Sequence, residues 1–398
     1  MLVVSLISGE VLVLEPETLK TRRSFHAPDP YVCCAVASAN GEVIAMKDTD
    51  TSFSCWDLVT GSRLRRFGVD QLEFVQIGPM ALSCDGKMVA TAHSSHYSES
   101  VGVVTTWDVV SGSTLRVFHN FINFPTELAF SPNGSFLVCS DHTGECSEFC
   151  LTGASFMTRH IHSGQSKRSN MAAVAWDPYS QLYLCGHVDG SILTVESAGC
   201  VSEPTPNDTP PTSYFAYSNR GDSVFTLAIS SDNAYVAVAG GRGIEETYNS
   251  TAKPTETLSE TPSETPSDKP THKPSTETRV VGFVAIYQPR GKGLCWKRWV
   301  KPGDDENILS VSFSLDNRFL ASGGGDGVCR IWDVSDGTIV NKINLHNSVI
   351  YLSFVFDIEE QQKRRMAIAM SGHARLGTGS ALQDVPDDLL NKLIMMTS

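Results

Sequence analysis

The sequence predicts an all-β fold, a seven-bladed β-propeller closed by pairing of a C-terminal strand with N-terminal strands, and three observations carry that expectation. The first is the stretch Arg318 to Gly337, RFLASGGGDGVCRIWDVSDG. It reads as an apolar run, a Gly-rich turn, an alternating strand ending in Ile331-Trp332-Asp333, and a second turn at Gly337, which is most of one blade. The second is repetition. Decayed copies place Leu14, Trp56, Trp107, Phe149, Val195 and Tyr287 where this unit has Trp332, at spacings of 42 to 51 residues except across one insert. The third is a mismatch between the ends: the first unit lacks a first strand, and a spare one, Val349 to Asp357, follows His346. Joining the two removes the free edges that would template aggregation.

The units follow one another with little between them. Leu2 to Phe25 supplies a strand, a Gly turn, the strand Val11 to Leu14 and a third segment from Leu19. Tyr31 to Phe67 is a full unit, with Asp50 six residues before the Trp56-Asp57 pair. The unit beginning at Pro79 reaches Trp107-Asp108, but its turn is swollen from His93 to Val101. In the fourth unit Phe149 takes the Trp place and Thr143 the Asp place; the fifth keeps Asp189 and carries Val195. The sixth is interrupted between YVAVAGG and RVVGFVAIYQPR, where Tyr287 stands at the Trp position, and Ile308 to Asn317 leads into the last unit. For the closing blade, Met366 to Ser371 competes with Leu2 to Ile7 for the second-strand slot.

Intact Trp-Asp pairs at Trp56-Asp57, Trp107-Asp108 and Trp332-Asp333, with Asp50 and Asp326 six residues ahead of their tryptophans, make this chain resemble the WD-repeat family. The resemblance implies a structural role for these positions and for Asp189. In that family the Asp of the tight turn, a Ser or Thr of the second strand (here Ser322) and the Trp of the third strand join in a hydrogen-bonded network. It also implies a non-catalytic scaffold that binds protein or peptide partners through loops. Function on such a fold lives in its loops, so the repeat names no partner.

Composition narrows the alternatives. A net charge of -13 argues against broad contact with phosphate backbones or anionic lipid, so nucleic acid and membrane are not expected partners. Arg63 to Phe67 and Trp296 to Trp299 with Lys301 read as solvated outer strands. The 11 Cys are scattered without CxxC spacing, which fits reduced thiols in an intracellular protein, cytoplasmic or nuclear. The opening residues alternate like a strand pair rather than a signal peptide, and no run approaches 18 apolar residues. No GxSxG, GxxxxGK[ST] or HExxH motif is present, and neither His160 with His162 nor His93 with His96 has a supporting ligand at metal-binding spacing. The expectation is therefore no enzyme, no cofactor and no metal.

Two segments fall outside the blade grammar. The sequence divides into a propeller over 1–371 and a tail over 372–398. Within the propeller, Ile244 to Thr278 repeats SETP, SETP and SDKP, a composition too polar to offset its ordering entropy, so this insert is expected to be disordered. Thr261-Pro262 and Thr265-Pro266 suit proline-directed phosphorylation; the plainer alternative is an expanded loop without consequence. The insert and the swollen turn open on the face most used for partners in the family, which makes His93, His96 and Tyr97 candidate contacts. In the tail, Val385 to Ile394 predicts a helix over 386–396, with Leu389, Leu390 and Leu393 on one side. LQDVPDDLLNKLI resembles the opening of an F-box or a SOCS-type box. That implies, as the alternative function, a substrate-recognition adaptor joined to a cullin-type ubiquitin ligase; the other reading is an amphipathic helix docked on its own propeller.

Overall fold

Short apolar runs that end at Gly, Asn and Asp turns give strands and no helix among the described residues. The computed structural model describes residues 1–27, 34–68, 76–95, 98–121, 125–152, 158–162, 171–197, 217–218, 222–247, 276–288, 293–300 and 307–357. Blade 1 begins with β1 (Leu2–Leu6), β2 (Glu10–Leu14) and β3 (Thr21–His26). Blade 2 is β4 (Ala35–Ala37), β5 (Val43–Thr49), β6 (Ser52–Asp57) and β7 (Arg63–Gly68). Blade 3 is β8 (Gln76–Leu82), β9 (Met88–Ser95), β10 (Ser98–Asp108) and β11 (Thr114–Phe121), and blade 4 is β12 (Pro125–Phe130), β13 (Phe136–Asp141), β14 (Glu145–Cys150) and β15 (Thr158–His162). Blade 5 comprises β16 (Met171–Trp176), β17 (Leu182–His187), β18 (Ser191–Glu196) and the short β19 (Tyr217–Ser218). Blade 6 comprises β20 (Asp222–Ile229), β21 (Val236–Thr247), β22 (Thr276–Gln288) and β23 (Gly293–Trp299). Blade 7 holds β24 (Ile308–Phe313), β25 (Phe319–Gly324), β26 (Val328–Asp333) and β27 (Ile339–Asn344), and β28 (Val349–Phe354) completes blade 1.

Each of the seven sheets has four antiparallel strands, ordered as in the chain except where β28 joins β1. The closing register is Leu2 opposite Phe354, Val4 opposite Leu352 and Leu6 opposite Val349. The second-strand slot of the closing blade is thus filled by β1, which lies between β28 and β2, so the Ile350 segment is one strand removed from the Leu12 segment. The Met1 amino group donates to the Val355 carbonyl at 3.0 Å, extending the seam by one more contact.

The same turn is built again and again between first and second strands. In five blades a Ser hydroxyl (Ser38, Ser83, Ser131, Ser230, Ser314) accepts the backbone N–H five residues on, each at 2.9 Å. It donates in turn to an Asn or Asp two residues on, at 2.6 to 2.7 Å. The left-handed position that follows is occupied by Gly41, Gly86, Gly134, Asn233 and Asn317, residues that tolerate positive φ. Blade 5 solves the same problem with Asp177, whose carboxylate accepts Gln181 and Leu182 N–H.

Between third and fourth strands the Asp of the Trp-Asp pair does comparable work. Asp57 accepts Val59 and Thr60 N–H at 2.7 and 2.8 Å, and Asp108 and Asp333 accept Ser111 and Ser335 N–H at 2.6 and 2.8 Å. Gly337 closes the last of these turns at φ 70, where a Cβ would lie 2.6 Å from the Trp296 ring.

The core lies between blades. Residues at the Trp position sit opposite Leu2, Ile44, Val89, Leu137, Tyr183, Val236 and Leu320, the same register in all seven sheets. Each side chain at that position packs toward the preceding blade, Trp332 with Trp296 and Ile286, Phe149 with Val104 and Phe118, Leu14 with Ala321 and Ile331. Trp332 and Trp296 stack with centroids 6.2 Å apart, and the Trp296 indole donates to the Val334 carbonyl at 2.7 Å. The Trp296 segment is therefore not a simply solvated outer strand: one face of it is a wedge between blades 6 and 7.

Candidate functional site

Because strands alternate in direction within each blade, the turns between second and third strands and the links between blades open on one end of the ring. The second strands of blades 2 to 5 reach that end with a polar residue in the place of Gly324: Asp48, His93, Asp141 and His187, all buried. Burying such groups requires partners. Asp48 accepts the Ser54 hydroxyl at 2.5 Å and pairs with Arg66 at 3.5 Å. Asp141 caps the following turn by accepting Thr143 and Glu145 N–H.

His93 belongs to this buried set, which corrects its expected role as a partner contact. The turn expected to swell from His93 to Val101 is a lengthened hairpin in which β9 and β10 pair as far as Ser95 and Ser98. His93 Nε2 lies 2.8 Å from Thr91 Oγ1, and the Trp107 indole donates to that same hydroxyl at 2.9 Å. Burial pushes the His93 pKa down to about 4.

The other repeat positions divide. Trp332 donates to Ser322 at 2.8 Å, inside blade 7. Asp326 does not complete that network: it pairs with Arg330 at 2.6 Å and caps Val328 N–H. Asp50 is exposed and pairs with Lys47 at 2.9 Å, leaving the buried acid of blade 2 to Asp48. Trp56 has no hydroxyl to meet, because Met46 stands where blade 7 has Ser322, and its indole nitrogen makes no hydrogen bond among the described residues. Stacking on Phe25 at 5.9 Å holds it instead. Asp189 caps its turn by accepting Ser191 N–H at 2.9 Å. His96, Tyr97, Thr261, Thr265, Leu389, Leu390 and Leu393, and with them the cullin-adaptor reading, lie outside the described residues.

Sequence reasoning missed the feature that distinguishes this face. β21 and β22 of blade 6 pair without a break from Val236 opposite Tyr287 to Thr247 opposite Thr276, well past the level where other blades turn. The ordered hairpin thus takes in both flanks of the segment expected to be disordered. At its base, Asp222 is fully buried and is held by Arg242 at 2.7 Å and by Lys297. Lys297 lies over the rings of Phe283 and Trp299 at 4.4 and 4.2 Å, and Arg242 over Trp299 at 5.2 Å. Trp299 itself is 44% exposed. One acid anchors two cations, and the cations fix an indole at the surface.

Residues 297–333, which run from this cluster through Trp332-Asp333, match the model of the WD domain, G-beta repeat. The chain is a seven-bladed β-propeller that carries a WD repeat over residues 297–333. Over 50 residues it is 44% identical to the general transcriptional corepressor TUP1 of Saccharomyces cerevisiae (strain ATCC 204508 / S288c), a match covering 13% of this chain and 7% of that relative's length. Its fold resembles the crystal structure of the Cps50 (Swd1) β-propeller domain of Myceliophteria thermophila, with a TM-score of 0.56 at 12% identity over 81% of this chain and 90% of that one. WD-repeat propellers serve protein–protein interaction, and in this WD-repeat propeller no described group of three or more His, Cys, Asp or Glu could hold a metal ion. No helix among the described residues is long and apolar enough to cross a membrane.

Proposed function

We propose that this WD-repeat propeller is a scaffold that binds protein or peptide partners on its loop face, with the upper end of blade 6 as the point of contact. The observation that carries the reading is Trp299. Trp and Arg dominate the energetics of protein interfaces when they are held rigid and partly desolvated. An exposed indole is otherwise a liability on a soluble surface. Here it is pinned by Arg242 and Lys297, which are themselves pinned by a buried carboxylate, so little side-chain entropy is left to lose on binding.

The test is affinity purification of the full chain beside two variants, Trp299→Ala at the proposed contact and Leu115→Asp on the outer strand β11 of blade 3. Partners recovered with the wild type should fall at least tenfold with Trp299→Ala and stay unchanged with Leu115→Asp. Recovery that ignores Trp299, or that depends on Leu115 instead, sinks the assignment.

A further inference from the structure

The innermost strands leave a cavity of about 600 Å³ on the axis of the ring, lined by residues from all seven blades. That is within the usual size of small-molecule sites. Apolar side chains and strand backbone make most of its wall, and four lining side chains can carry charge: Cys34, Lys47, Glu127 and Tyr351. Two of these have structural work. Lys47 is paired with Asp50 at 2.9 Å, and the Tyr351 hydroxyl accepts the Ala37 N–H at 3.0 Å.

Glu127, on the first strand of blade 4, does none. Its neighbour Thr126 meets Ser140 at 3.0 Å, but Glu127 makes no side-chain hydrogen bond and no ion pair among the described residues. The elements packed against β12 contribute His93 from β9 and Cys139 and Asp141 from β13; β8 and β16 contribute no ionisable side chain, and Tyr351, Cys34 and Lys47 complete the ionisable lining. His93 is buried neutral and the one lysine is spoken for, so no basic side chain balances this carboxyl. Burial alone pushes its pKa up to about 8. A carboxyl kept in this channel without a hydrogen-bond or ion-pair partner among the described residues is a cost that stability alone does not explain.

We propose that the central channel binds an organic cation whose ammonium or guanidinium group forms an ion pair with Glu127 inside the ring. The cation is either a free amine or a basic side chain presented by a partner, and both share this chemistry. The site is distinct from Trp299 on the loop face. Because Glu127 is protonated below about pH 8 in the empty channel, the cation must displace that proton into solvent as the carboxylate–cation pair forms. Affinity therefore rises about tenfold for each pH unit between 6 and 8 and levels off above.

Calorimetric titration of the full chain tests this, with n-butylammonium, n-butylguanidinium, the neutral isostere n-butanol, and blocked pentapeptides carrying a central Lys or Arg. The cations should bind saturably and n-butanol should not. The heat at pH 7 should differ between phosphate and Tris by the amount expected for release of one proton, a readout that needs no variant. Glu127→Gln should lower cation affinity at least tenfold while keeping the far-UV spectrum, and Trp299→Ala should leave it unchanged. Peptides binding tenfold or more above the free amines identify a partner's side chain as the source, and the reverse order identifies a small amine. Absence of saturable heat with every probe, binding without proton release, or equal binding by Glu127→Gln overturns the proposal.

Discussion

Acidification should loosen the Trp107–Thr91–His93 chain in blade 3, and the size of the effect follows from where the imidazole sits. His93 is fully buried with its Nε2 facing the Thr91 hydroxyl, and its folded pKa is about 4 against 6.5 for the free side chain. A base whose pKa is depressed by folding stabilises the protein above its unfolded value, and that contribution is lost as pH falls through the folded one. The interval of 2.5 pH units, at about 1.36 kcal/mol each, amounts to about 3 kcal/mol lost between pH 6.5 and 4. Glu127 acts with the opposite sign. Its pKa rises from 4.5 to about 8 on folding, so it contributes stability as pH falls from 8 toward 4.5. The useful quantity is therefore the difference between wild type and His93→Gln, in which Glu127 cancels. Urea unfolding at half-unit steps from pH 7.5 to 4 measures it. The gap between the two proteins should be constant above pH 6.5 and shift by about 3 kcal/mol in favour of the variant by pH 4. A gap independent of pH, or one that moves the other way, refutes the reading of a neutral, desolvated imidazole.

Trp332→Ala should cost about 3 to 5 kcal/mol, because it removes an indole that is 2% exposed and wedged against Trp296 and Val334 between blades 6 and 7. Trp332→Phe keeps most of that wedge and loses the bond to Ser322, for about 1 kcal/mol, and chemical denaturation separates the two. Replacing residues 248–275 by Asn-Gly should shift the melting temperature by no more than a few degrees, since Thr247 and Thr276 already face each other across the hairpin and a two-residue turn can join them.

The blade register was legible because it rests on local chemistry repeated seven times. The Leu14, Phe149, Val195 and Tyr287 positions could be aligned with the tryptophans from strand spacing alone, and their cross-strand partners agree in every sheet. A further signal stood in the sequence unread: Ser-x-Asx followed by Gly or Asn at 38, 83, 131, 230 and 314 marks the turn after the first strand in five blades, more uniformly than the Trp-Asp pair. What sequence could not supply was which acid or imidazole is buried. Asp48 and Asp50 are two residues apart and would share one face of a continuous strand; Asp48 still lies within β5 and turns inward to Ser54, whereas Asp50 falls in the turn just past Thr49 and pairs with Lys47 at the surface. His93 looked like a loop residue because β9 and β10 outrun the ordinary blade length, and Glu127 carries no motif at all, its significance arising from the closing of seven strands around it.

Blade 1 is assembled from two segments more than 330 residues apart in the chain, and synthesis delivers them far apart in time. The strand Leu2 to Leu6 leaves the ribosome before the other six blades, yet its partner Val349 to Phe354 emerges only after them. Throughout that interval Leu2, Val4, Leu6, Leu12 and Leu14, all buried in the finished molecule, have no neighbouring blade and one open strand edge. Until that late strand docks, this apolar surface and open edge are of the kind that misassemble or are shielded by chaperones, which makes the seam the exposed point of a nascent ring.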